Sequence, residues 1–138
     1  VRAPVVRTLH RTAAPLGVLT LTVAAFGIVG AVDPNEPGHY PACPLLSLAG
    51  VLCPGCGGLR SAHAVAHGDL PAALGANALA VAGFALLALV LARWLVDALR
   101  DRPWRQLSVR PGHLWAAAAV ALVFTVLRNT PPGSFLAP

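Results

Sequence analysis

The chain has 138 residues, is 57% hydrophobic and 11% charged, and carries a net charge of +5 with a mean hydropathy of +0.70. Soluble domains are about 25% charged, so an ordinary soluble fold is excluded and a single membrane domain is expected. The basic residues, all arginine, sit in short blocks beside apolar runs and build no basic face interleaved with aromatics. That pattern sets nucleic acid aside as a partner and fits charge flanking membrane spans. The richness in arginine, alanine, leucine and valine is what a GC-rich bacterial genome produces, so Val1 reads as a non-AUG start.

In chain order, residues 1–14 carry Arg2, Arg7 and Arg11 and precede an uncharged run over 15–32, about the minimum length for a helical span. No convincing cleavage site follows, so a retained span is expected rather than a removed signal peptide. Residues 33–69 form a loop whose first part, Asp33 to Pro44, holds four prolines and cannot be a regular helix. The apolar piece 45–52 is too short to cross a bilayer and predicts a re-entrant or interfacial half-helix. A short amphipathic helix is expected from about Cys56 to His67, stopped by Gly68, with Asp69 capping the next helix and Pro71 in its first turn. Span 2 covers 70–95, with Asn77 as its one strongly polar interior residue.

A basic connection over 96–112 follows, rich in arginine (Arg100, Arg102, Arg105, Arg110) around Asp97 and Asp101; span 3 covers 113–128 and a tail runs to 138. Trp94, Trp104 and Trp115 suit an aromatic belt at the border of the spans. Counting charge, the 33–71 loop is net negative and the 93–112 loop net positive, so the N-terminus and the basic connection are placed in the cytoplasm and the cysteine loop outside. Pairs such as Gly27 with Ala31 or Ala76 with Ala80 offer close helix approach.

The reactive side chains concentrate in Cys53-Pro-Gly-Cys-Gly-Gly-Leu-Arg60, Ser61-Ala-His63 and His67-Gly-Asp69, with Cys43 just upstream. On a helix starting near Cys56, steps of four, three and four would put Cys56, Arg60, His63 and His67 in one arc. One reading is a metal site. The Cys-Pro-x-Cys-Gly turn resembles one knuckle of a zinc ribbon, and Cys43, Cys53, Cys56 and either His67 or His63 would complete a tetrahedral set for zinc, with His39 as a further candidate. The other reading is redox, with Cys53 attacking, Cys56 resolving and Arg60 favouring the thiolate. The bland alternatives are a structural disulfide between two of the cysteines, or inert packed thiols with His63 and His67 merely lining an interfacial helix. Asn77 reads as glue between helices, Arg60 as a ligand for a lipid phosphate, a partner of Asp69 or a snorkelling anchor, and Arg128-Asn129 as a mark of the interface. There is no serine hydrolase elbow, phosphate loop or carboxylate pair.

With these residues in view, the chain resembles the small bacterial membrane proteins grouped as domain of unknown function 2752. The resemblance runs from Tyr40-Pro-Ala-Cys43-Pro44 through the Cys53 to Arg60 segment, His67-Gly-Asp69 and Asn77 to Arg128-Asn129 and Leu136-Ala-Pro138. It implies a multi-pass membrane protein with the cysteine loop as its site. Relatives carry a hydroxyl residue just before the arginine where this chain has Leu59, so no hydroxyl role carries over there.

The expected protein is thus an all-α integral membrane protein with three transmembrane helices, a half-helix and a short amphipathic helix. Its expected place is the bacterial cytoplasmic membrane, among lipids and with other membrane subunits or copies of itself. So small a chain suits an accessory subunit or metal-binding module better than a self-contained enzyme. A thiol oxidoreductase is the alternative, and an oligomeric transporter or channel component the third reading.

Overall fold

The computed structural model describes residues 2–103 and 109–136, with side chains from Arg11 onward. Val1, Trp104, Arg105, Ala137, Pro138 and the side chains of Arg2 and Arg7 lie outside the described residues. The architecture is all-α: α1 (Arg2–Ala31), α2 (Pro44–Ala49), α3 (Gly58–Ala66), α4 (Leu70–Leu99) and α5 (Pro111–Arg128), closed by a 3-10 turn over Pro131–Leu136. Three helical stretches, Arg11–Ala31, Leu70–Leu99 and Pro111–Arg128, are long and apolar enough to cross a membrane. The chain is a multi-pass helical membrane protein.

The first helix begins well before the expected start at residue 15, because Pro15 is accommodated inside it with its ring fully buried. Within the apolar part of α1, Thr20 and Thr22 donate their hydroxyls to the carbonyls of Leu16 and Val18, which removes the cost of carrying them through a span. α1 packs against α4, with Phe26 edge-on to Phe84 at a centroid distance of 5.0 Å. Arg11 Nη1 meets Asp101 Oδ1 at 2.6 Å, joining the start of the first span to the end of the second. The two helices therefore run antiparallel, leaving α3 and the cysteine loop at the opposite end.

α3 lies against both long helices. It approaches α1 closely at Gly30, where an added Cβ would stand 3.1 Å from the Ala66 Cβ. Gly27, expected to serve such an approach, has open space around it. The half-helix α2 is short and exposed, and ends where Gly50 takes the left-handed conformation at φ 66°. α5 keeps most of its side chains exposed and is fastened at its C-terminal end.

α4 is not one continuous helix. Asn77 has φ −165° and ψ 96°, an extended conformation that divides α4 into two helical segments. The break makes sense as local chemistry: Asn77 Oδ1 accepts the Ala80 N–H at 2.9 Å, so the side chain caps the second segment.

Candidate thiol site

Two segments bring the thiols together. Cys43 is the N-cap of α2, extended at φ −61° and ψ 123°, with Pro44 pre-set for the first helical turn. Cys53-Pro-Gly-Cys56 closes as a tight turn, the Cys56 N–H donating to the Cys53 carbonyl at 3.1 Å and the Cys53 N–H to the Cys56 sulfur at 3.3 Å. Gly57 follows in the left-handed region at φ 79°, where a side chain would be strained. α3 therefore begins at Gly58, and Cys56 lies in the turn rather than on the helix as the spacing had suggested.

The result is a cluster of three free cysteines. Cys53 Sγ is 3.2 Å from Cys56 Sγ and 3.5 Å from Cys43 Sγ, and all three sulfurs lie within 4.8 Å of one another. Cys56 is buried and its neighbours are half-buried. Hydrogen bonding from the Leu46 backbone, helped by the Cys53 and Cys56 thiols, lowers the Cys43 thiol to about 7. Burial, reinforced by the Cys53 side chain, pushes the Cys56 thiol up to about 11. Such a set can bind one thiophilic ion or rearrange disulfides.

The histidines go elsewhere. Among the described residues, no histidine, aspartate or glutamate joins the three sulfurs. His63 Nδ1 bonds the Val29 carbonyl at 2.8 Å, and His67 Nδ1 bonds the His63 carbonyl at 2.9 Å. His39 is held in its own loop by the Asp33 carbonyl and Glu36. Arg60 is likewise apart, lining a cavity with His63, His67 and Asp69.

The cation beside the thiols is Arg128, which sequence reasoning had left as a mark of the interface. Its side chain is 3% exposed. Nη1 donates to the carbonyls of Cys53 and Cys56 at 3.1 and 2.9 Å, Nη2 to that of Ala76 at 3.3 Å, and Nε to that of Leu136 at 2.8 Å. The guanidinium also lies over the Phe124 ring, 5.0 Å from its centroid. Among the described residues no carboxylate pairs with it.

Three more side chains complete the frame. Asn77 Nδ2 donates to the carbonyls of Pro54 and Cys56, both at 2.9 Å, so it grips the cysteine turn rather than a neighbouring span. Asn129 exchanges two hydrogen bonds with the Leu52 backbone, each 2.9 Å. Ser61, fully buried, donates to the Ala73 carbonyl at 2.7 Å and lies 3.3 Å from that of Asn77, satisfying oxygens freed by the break in α4. Asn77 inside an apolar run and Asn129 at the end of one were the available signals, but their partners lie in distant segments.

No curated protein and no solved structure matches the chain. The match to a family model is shorter than the stretch from Tyr40 to Pro138 over which a resemblance was read, and Arg128-Asn129 lie beyond it. Residues 43–91, from the first cysteine well into α4, match the family described as protein of unknown function, DUF2752.

Proposed function

We propose that this membrane protein is a small accessory subunit that holds one divalent, zinc-like ion on the thiolates of Cys43, Cys53 and Cys56, on the outer side of a bacterial cytoplasmic membrane. The observation that carries the reading is the convergence of three sulfurs from two separate segments. A disulfide uses two of them and leaves an odd thiol; an ion uses all three. With Zn–S bonds of about 2.3 Å, sulfurs on a tetrahedral ion stand roughly 3.8 Å apart, close to the 3.2 and 3.5 Å found here. Charge supports the same count, because one divalent ion and the Arg128 guanidinium together balance three thiolates. A buried charge needs such a partner. Three protein donors leave a fourth position for water or for a group from a partner subunit, which distinguishes this site from a closed four-ligand one.

The test is elemental analysis of detergent-purified protein with a thiol count before and after reductant. About one ion per chain, lost in the Cys53→Ser/Cys56→Ser double variant, is the expected result. No metal, with two thiols appearing only after reduction, would overturn it.

The second reading, thiol–disulfide exchange, draws on the closeness of the sulfurs, which form a bent cluster with all three within 4.8 Å of one another. Cys43, with its lowered thiol, is placed 3.5 Å from Cys53. The three thiols are free, so exchange first needs an outside disulfide to oxidise Cys53 and Cys56 to a bridge, itself leaving as two thiols. The Cys43 thiolate would then attack Cys53, forming Cys43–Cys53 and releasing Cys56, whose thiol is pushed up to about 11 and is a poor leaving group. That ranks exchange below metal binding. Transport ranks third, although the broken α4 resembles the discontinuous helices of transporters. Ser61 and Arg128 already occupy the carbonyls of Ala73 and Ala76 that the break releases.

A further inference from the structure

A second polar cluster lies apart from the thiols, in a cavity of about 470 Å³ bordered by Asn35, α3 and the first turns of α4. Arg60, His63 and His67 project into this region from one face of α3. The exposed Arg60 guanidinium forms no hydrogen bond or ion pair with any described residue. A snorkelling arginine needs no cavity and no companions, and this one has both.

The two imidazoles are held in register. Each Nδ1 faces a main-chain carbonyl, which only accepts, so each ring keeps a proton on Nδ1 and leaves Nε2 for something else. The rings lie side by side with centroids 4.3 Å apart. The nearby carboxylates are already engaged. Asp69 Oδ1 caps α4 by accepting from the Ala72 N–H at 3.0 Å. Asp33 Oδ1 accepts two hydrogen bonds from Asn35, both 2.8 Å, and stands 3.9 Å from His63 Nε2. The remaining wall is small: Ala64, Ala72, Gly75 and Ala76 leave the space open.

From this arrangement we infer that the cavity binds a phosphate group, with the Arg60 guanidinium as its principal ligand and the Nε2 sides of His63 and His67 completing the grip. The planar fork of arginine matches phosphate oxygens in pairs. The cavity volume falls in the range of small-molecule sites, roughly 300–1,000 Å³. Its walls are the first turns of the span Leu70–Leu99, which sets it at the membrane border, at the level of lipid headgroups. The phosphate belongs either to such a headgroup or to a soluble phosphate ester.

Two probes separate these sources on the full-length protein in detergent. Native mass spectrometry with dioleoylphosphatidylglycerol reads the lipid; histidine side-chain NMR signals during titration with glycerol phosphate read the soluble ester. Arg60→Gln is exposed and unbonded, so it leaves the fold and the metal content unchanged. Loss of charge-assisted hydrogen bonds should weaken binding about tenfold or more. A drop in lipid adducts in Arg60→Gln but not in Arg100→Gln supports a headgroup. Histidine shifts with glycerol phosphate that vanish in Arg60→Gln, with lipid adducts unchanged, support a soluble ester. If neither probe binds, if Arg60→Gln binds both as the wild type does, or if Arg100→Gln loses as much, the inference is overturned.

Discussion

Arg128 fastens three segments with one side chain through four hydrogen bonds: the cysteine turn twice, the break in α4 and the closing 3-10 turn. Glutamine at this position could reach one or two of those acceptors and would carry no charge toward the thiols. The Cys53 carbonyl keeps the Cys56 N–H and the Cys56 carbonyl keeps Asn77, so the acceptors at stake are those of Ala76 and Leu136. A buried carbonyl left unbonded costs about 1–3 kcal/mol, and Arg128→Gln should lower stability by about that much. The same variant should also lose most of its bound metal, which separates a purely structural effect from one on the thiols. Thermal unfolding in detergent followed by elemental analysis reads both. A variant that melts and binds metal like the wild type would remove Arg128 from the site. Gly133 serves the same corner, since a Cβ there would stand 1.9 Å from the Leu127 carbonyl oxygen.

Among the elements, the spans were legible because uninterrupted apolar length is a local property. The half-helix and the cysteine loop were legible too, from four prolines and an apolar run too short to cross. The short helix was placed correctly at its end by Gly68 but two residues early at its start, because Gly57 takes a left-handed turn that spacing alone does not announce. That shift separates Cys56 from Arg60 and the histidines, and so divides what looked like one constellation into two sites.

The break at Asn77 was hidden for another reason. One asparagine in a span is compatible with a straight helix, and what breaks this one is the pull of Pro54 and Cys56 carbonyls some twenty residues away. Asn77→Ala should remove that pull together with the cap on Ala80. Two lost hydrogen bonds to buried groups and a lost cap amount to about 2–4 kcal/mol. Cys53 should then become more open to alkylation in metal-free protein. Unchanged alkylation kinetics would show that the loop is held without Asn77.

For the whole molecule, three alternating spans put the thiol cluster, the 3-10 turn and the phosphate cavity at one end, and Arg11 with Asp101 at the other. Arginine enrichment at the latter end predicts that it faces the cytoplasm. A cysteine introduced at exposed Ser134 should react with a membrane-impermeant maleimide in intact cells, and one at Arg102 only after permeabilisation. The reverse pattern would invert the orientation while leaving the sites intact. α5 leaves apolar side chains exposed, Leu114, Trp115 and Leu122 among them.

The reach of Arg128 across the chain also sets an order of events. The turn it holds is synthesised 75 residues earlier. At about 5–20 residues per second, that is roughly 4–15 s during which the cysteines exist without their clamp. They emerge as three loose thiols on a half-built bundle, and become a site when the last span has crossed and its final residue docks. A stalled or truncated chain therefore carries the three thiols but not the pocket that gathers them, and the metal loading proposed above would follow the completion of membrane insertion.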